Sequence, residues 1–404
     1  MRDCIEKLPG AFFLSFPEKK DFLISEVAER FPHFGNPVFY GDLVYYPGVG
    51  KLLDTPIPAD GVSAGGDSKS AVSSEHDRST IGVADIAAKV DVPYWCSTAM
   101  LEPKKVEFAS IGEAARILKE IQRSWGSYQF TQFRRAALIQ EKLPYINTKE
   151  KQFPFTIPSS PIGLYTLLDN NHMVFSEKTS SSLPAGLFRF VEDHVNPPSR
   201  AYLKIQEALV RFACVFGMKA MDGTGGSVAV ARESAGGESA ESGEKTDIVK
   251  VSDGTAPREA VVSCLPHEGE RCFDAGACPG GWTWVLRKLG CNVLAVDRAP
   301  LADSLMNDPC VSFMTHDAFT LKPQDLGFFD WVFSDVICYP ERLYDWVLMW
   351  LESGMCRNMI CTIKMQGQTD WKLVQKFADI PNSKVVHLCY NKHELTWLHS
   401  GEKK

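Results

Sequence analysis

No Cys-x-x-Cys pair occurs in these 404 residues, although the chain holds 12 cysteines. Without paired thiols at zinc spacing a metal ribbon is excluded, and unpaired, scattered thiols suit a reducing, cytoplasmic setting better than a disulfide framework. Long apolar runs are missing too. In the opening MRDCIEKLPGAFFLSFPEKKDFLI charges break every hydrophobic stretch, which excludes a signal peptide or membrane span there. Excess positive charge is also absent: 43 Lys and Arg against 50 Asp and Glu give −7, which argues against a surface that coats nucleic acid broadly but leaves room for a local basic face. Nor is there an internal repeat of about 20 to 50 residues, so solenoids and propellers drop out.

Apolar residues are plentiful. A hydrophobic content of 45% in a chain of this length supports two domains or more with real cores. Low-complexity stretches at 57–88 and 221–259, rich in Gly, Ser, Ala and acids, are expected to be flexible. They outline an N-terminal region, 1–190, and a second region, 191–404, into which the later stretch is inserted. In the first, Gly10 to Phe16 reads as a strand, Lys19 to Arg30 as an amphipathic helix, Asn36 to Tyr46 as strand-like and Ile111 to Trp125 as helix, together an α+β pattern. Ser124 to Arg135 interleaves aromatics with a basic pair. Such a segment can hold RNA bases, but core aromatics beside solvated arginines are the commoner arrangement.

The most informative stretch is FDAGACPGGWTWVLRKLGCNVLAVDRAPL, Phe273 to Leu301. It reads as a strand reaching Asp274, a glycine turn, a helix carrying Trp282, Val285, Leu286 and Leu289 on one face and ended by Gly290, then a strand ending on Asp297. An acid at that strand tip can accept both ribose hydroxyls of an adenosine. The turn, Gly276-Ala277-Cys278-Pro279-Gly280-Gly281, does not fit the G-x-G-x-x-G of dinucleotide sites. Asp274 facing it would repel a pyrophosphate and suits a cationic ligand with an amino group, such as S-adenosylmethionine.

DAGACPGGWTW resembles the cofactor loop of the FtsJ-like ribose 2′-O-methyltransferases, and in particular of those that act on a cytidine of large-subunit ribosomal RNA. The resemblance continues through PSRAYLKIQEAL, AVDRAPLADSLM, HDAF, DWVFSDVICYPERL, WLESGMCRNMICTIKM and NKHELTWLH, about the last half of the chain less the insertion. It implies a Rossmann-like α/β domain that binds S-adenosylmethionine, with no metal, preceded by an α+β RNA-binding region for which a THUMP module is one candidate. It also implies RNA as partner and no membrane; the oligomeric state is left open, with a monomer assumed. By this resemblance Asp274, Gly276, Cys278, Pro279, Gly280, Gly281, Asp297 and Asp335 lie at the cofactor, and Asp317 accepts from the adenine amino group. Ala201 stands where the family has a cofactor-contacting serine, a loss of one hydrogen bond worth roughly 1 kcal/mol.

Methylating a ribose hydroxyl requires something to take its proton, and a lysine can do so if its pKa is lowered. Lys204, Asp335, Lys364 and Glu394 match the family's Lys-Asp-Lys-Glu set. Lys364, after the apolar Met359 to Ile363, sits at a strand end where a solvated lysine would be unusual, and is the favoured base, with Lys204 lowering its pKa. Asp335 ends another buried-strand pattern but could be a helix cap. Glu394 could be a surface residue of an edge strand, Lys204 a solvated helix lysine, and Asp317 a turn cap. Other chemistries are disfavoured. Ser334 to Cys338 lacks the two prolines that amino-methylating enzymes place after the fourth strand, and neither Cys338 nor Cys361 has the sequence context of a pyrimidine-attacking nucleophile.

Overall fold

The computed structural model describes residues 5–50, 92–217 and 264–401, and both low-complexity stretches, with the flexibility expected of them, lie outside these residues. The first region builds two sheets. A five-stranded sheet runs in the order Ile5–Lys7, Lys104–Glu107, His172–Ser176, Gly163–Leu167, Trp125–Ser127, and packs helices Ile111–Ile121 and Phe133–Lys142 over a core that includes Phe108, Leu118, Ile139 and Phe175. A four-stranded antiparallel sheet runs Val38–Tyr40, Leu43–Tyr46, Ala11–Ser15, Cys96–Met100. Phe12, Leu14, Leu43 and Met100 of this sheet meet Leu164 and Val174 of the first. Two expectations shift. Asn36 to Tyr46 divides into two strands around Gly41, whose φ is 68°. The helix from Ile111 stops at Ile121, because the buried Trp125 indole donates to the Leu118 and Gln122 carbonyls at the helix end and Trp125 itself starts a strand.

The second region is a seven-stranded sheet. Its strands are β1 (Arg271–Ala275), β2 (Asn292–Asp297), β3 (Val311–Thr315), β4 (Phe329–Ser334), β5 (Cys356–Lys364), β6 (Ser383–Val386) and β7 (Glu394–Ser400), in the order β3-β2-β1-β4-β5-β7-β6. β7 is antiparallel to both neighbours and the other pairs are parallel. Both faces are covered, and the alternation along β4 and β5 shows how. Trp331, Phe333 and Ile360 face α1 (Tyr202–Phe216) and α2 (Gly281–Lys288), while Val332, Met359, Cys361 and Ile363 face α3 (Pro340–Ser353) and α4 (Trp371–Ala378). That is why these strands read as continuous apolar runs. Leu183, Phe188 and Phe190, from the end of the first region, share the core of α1 and α2. No helix among the described residues is long and apolar enough to cross a membrane.

Candidate active site

The four residues of the Lys-Asp-Lys-Glu set come from four elements and close into a ring. β5 and β7 pair so that Lys364 lies directly opposite Glu394, which fixes that side of the ring by register alone. Asp335 follows the last residue of β4, next to β5, and Lys204 lies in the first turn of α1, which crosses the strand ends. Lys364 Nζ donates to Asp335 Oδ1 at 2.6 Å and to Glu394 Oε2 at 3.0 Å. Lys204 Nζ donates to both Asp335 oxygens at 3.0 Å and pairs with Glu394 Oε1 at 2.5 Å. Charges of opposite sign alternate around the ring. Glu394 is buried, and β7 sits between β5 and β6, so the reading of a surface residue on an edge strand does not hold. Lys204 is likewise buried, not a solvated helix lysine.

The electrostatics correct one expectation. Burial pushes the Lys364 ammonium toward losing its proton, but the carboxylates of Asp335 and Glu394 outweigh this and hold its pKa above the ordinary lysine value. The carboxylates prevail because each accepts a hydrogen bond from Lys364, at 2.6 and 3.0 Å. Burial likewise pushes the Glu394 carboxyl up, and Lys204 and Lys364 overcome it to leave the group below its usual range.

The glycine turn follows β1, which has β2 and β3 on one side and β4 and β5 on the other, so it lies where the sheet order reverses direction. Asp297 holds the turn: its Oδ2 accepts from the Cys278 N–H at 3.0 Å and its Oδ1 from Ala299 N–H at 3.1 Å. A side chain at Gly281 would meet Ser199 Oγ at 2.5 Å and the Tyr202 nitrogen at 3.2 Å, so the close docking of α1 on α2 requires glycine there. Gly276 has a φ of 77° and a Cβ there would strike Val336, the residue after Asp335. Asp274 is not a bare anion facing the turn. It is buried, takes the Thr283 hydroxyl at 2.6 Å, and is pushed up to about 7 by that burial. Asp317 caps a short helical turn through Phe319 N–H at 3.0 Å, and its Oδ2 is also held by Arg298 at 2.8 Å and Arg342 at 3.0 Å. Asp297, at the glycine turn, and Asp317, just after β3, are only partly buried and offer acceptors that fit the hydroxyls and amino group of a cationic adenosine compound, whereas the buried Asp274 acts through Thr283. Thr283, Arg298 and Arg342 carried no signal in the sequence. Each acts across a gap in the chain that only the fold closes.

A doubly wound sheet thus carries a glycine turn at its switch point and a ring of Lys204, Asp335, Lys364 and Glu394 at its strand ends. Residues 259–390, about a third of the chain, match the model of the FtsJ-like methyltransferase family, and the sheet of this region is Rossmann-like. Among curated proteins, the chain is similar to Ribosomal RNA large subunit methyltransferase M of Alkalilimnicola ehrlichii, 40% identical over 117 residues, which is 29% of this chain and 31% of the relative. The protein of the same name from Halorhodospira halophila is 36% identical over 114 residues, 28% of this chain and 33% of the relative. The alignments thus span about a third of these relatives. Among solved structures, the Methanococcus jannaschii fibrillarin pre-rRNA processing protein overlaps 35% of this chain and 70% of its own, with 17% identity and a TM-score of 0.28.

Proposed function

We propose that this chain transfers a methyl group from S-adenosylmethionine to the 2′ hydroxyl of an RNA ribose, on a cytidine of large-subunit ribosomal RNA. The observation that carries the reading is the closed ring of Lys204, Asp335, Lys364 and Glu394 beside the glycine turn. S-adenosylmethionine, held by the turn from Gly276 to Gly281 with Asp274, Asp297, Asp317 and Asp335, supplies an electrophilic methyl group and a positive charge. Lys364 accepts the proton of the attacking hydroxyl. It starts protonated, so it must first release that proton to solvent through the cavity it lines, and a bound sulfonium would ease the release by like-charge repulsion. Lys204 and Glu394 fix the direction of the Lys364 amine, and Asp335 ties both lysines to the cofactor side. The N-terminal α+β region positions the RNA, and the work is cytoplasmic. The names of the curated relatives support the choice of RNA.

The test is methyl transfer from radiolabelled S-adenosylmethionine to total RNA from cells lacking the protein, with nucleoside analysis of the product. Label in 2′-O-methylcytidine of large-subunit RNA is the expected result. Label in another RNA keeps the reaction and moves the target. Binding of the cofactor with no transfer would favour an RNA-interaction protein that has lost the activity, a reading to which Ala201 lends its only support. Lys364→Ala should cut transfer by at least about 100-fold with cofactor affinity unchanged, and full activity in that variant would overturn the base.

A further inference from the structure

A cavity of about 820 Å³ opens against the ring, and its composition differs from that of the chain as a whole. Lys204, Lys364 and Glu394 line it, with Ala201 beside them, whereas no residue of the glycine turn does, so the cavity opens on the ring and is distinct from that turn. Ile337, Met365 and Tyr390 supply apolar and aromatic wall. Arg200 and Lys392, both exposed to solvent, add positive charge at the mouth. The lining therefore holds four lysine or arginine side chains against one glutamate, in a chain whose net charge is −7. Its size is that of a site for one small organic ligand.

Tyr390 is built as a fixed plate. Its hydroxyl accepts from the Phe190 N–H at 2.7 Å, and its ring lies nearly parallel to Phe190, with centroids 6.1 Å apart and planes at 9°. Its own N–H donates to the buried Glu207 of α1 at 3.2 Å. The ring is thus pinned at its hydroxyl and its backbone while it lines the cavity. Resting on the methyltransferase reading, we infer that this cavity seats one nucleotide unstacked from its RNA strand, with its base on the Tyr390 ring, its ribose over Lys364 and its phosphate toward Arg200 and Lys392. Single-stranded bases splayed onto an aromatic face are the usual way RNA is held by sequence-reading proteins. Ile337, 83% exposed next to the ring, stands at the gap the base leaves.

Two variants separate stacking from scaffolding. Tyr390→Leu keeps apolar bulk and loses the aromatic face; Tyr390→Phe keeps the face and loses the anchor to Phe190. Stacking predicts that Tyr390→Leu raises the KM for RNA by roughly 5- to 100-fold while Tyr390→Phe stays within about threefold of the parent, with S-adenosylmethionine affinity unchanged in both. A purely structural tyrosine predicts that both variants suffer alike, and that result, or a normal KM in Tyr390→Leu, overturns the inference while leaving the methyltransferase reading intact. A second probe needs no catalysis: a short oligocytidylate carrying one fluorescent pyrrolocytosine. Quenching by the parent and by Tyr390→Phe but not by Tyr390→Leu supports the plate, and absence of quenching by the parent ends it. If the parent methylates no RNA but quenches this probe, the activity reading fails and the nucleotide site stands.

Discussion

Lys364 combines two demands that pull in opposite directions. Two carboxylates keep its amine positive and in place, and the proposed reaction needs that amine neutral. The rate should therefore rise with pH through the neutral and alkaline range, because a pKa held above the ordinary lysine value leaves only a small neutral fraction. Glu394→Gln removes one of the two carboxylates, so the rising limb should move to lower pH, while kcat on its plateau falls as the lysine loses one of its guides; a limb that does not move would count against Lys364 as the titrating base. For stability the signs differ by partner. The contribution of Lys364 is complete below the unfolded lysine value and is lost as pH rises through its raised one. That of Glu394 is present above the unfolded glutamate value and is lost as pH falls through its depressed one. Asp317 makes a further point at this scale. Its Oδ2 is shared by Arg298, largely exposed, and Arg342, half exposed, so in the proposed site an adenine amino group must compete with them. Exposed pairs are worth at most about 1 kcal/mol, so Arg342→Ala should tighten S-adenosylmethionine binding by no more than about fivefold, measured by calorimetry, whereas Asp317→Ala should weaken it.

At the scale of elements, the site is an outcome of how α1, β5 and β7 meet. α1 approaches α2 at Gly281, and a methyl group there would press on Ser199 and the Tyr202 backbone. Gly281→Ala should cost about 1–3 kcal/mol, read as a lower urea midpoint, and should lower methyl transfer further by displacing Lys204. The turn, the strands on either side of it and the strand-end positions of Lys364 and Asp335 were legible in the sequence, because apolar runs, glycines and terminal acids are local signals. The placement of β7 between β5 and β6 was not. Glu394 opens an apolar strand whichever edge that strand joins, and only the sheet order makes it face Lys364. The sign of the Lys364 shift was equally hidden, since it depends on two oxygens at 2.6 and 3.0 Å contributed by segments about 30 residues away on either side. Tyr390 lies in a loop with no periodicity, so nothing in the sequence drew attention to it.

At the scale of the whole molecule, the two regions are packed together rather than strung in series. Phe16 and Trp95, each flanking a strand of the four-stranded sheet, lie against His387, with centroids 4.3 and 4.6 Å away, and Phe22 lies 4.3 Å from His393, the neighbour of Glu394. Glu26, buried in the first region, accepts from the Tyr94 and Trp95 N–H groups and pairs with Arg30, whose guanidinium sits over Trp371 of α4. Burial nonetheless pushes Glu26 up to about 7, as it does Asp274. The native protein then binds protons that the unfolded chain has released, and these two groups erode stability as pH rises from about 4 to 7. His387, pulled down to about 3 by burial, acts in the opposite sense below its unfolded value. Glu26→Gln isolates one contribution: its urea midpoint should gain on that of the parent between pH 5 and pH 8, and a constant gap would show that Glu26 does not titrate in that window. The late position of β7 has a bearing on how the protein is made. Glu394 leaves the ribosome last of the four ring members, and until it arrives Asp335 alone must balance two ammonium groups. A chain still being synthesised therefore carries an incomplete, charge-unbalanced ring, and Lys364 gains its second carboxylate only once β7 has paired with β5.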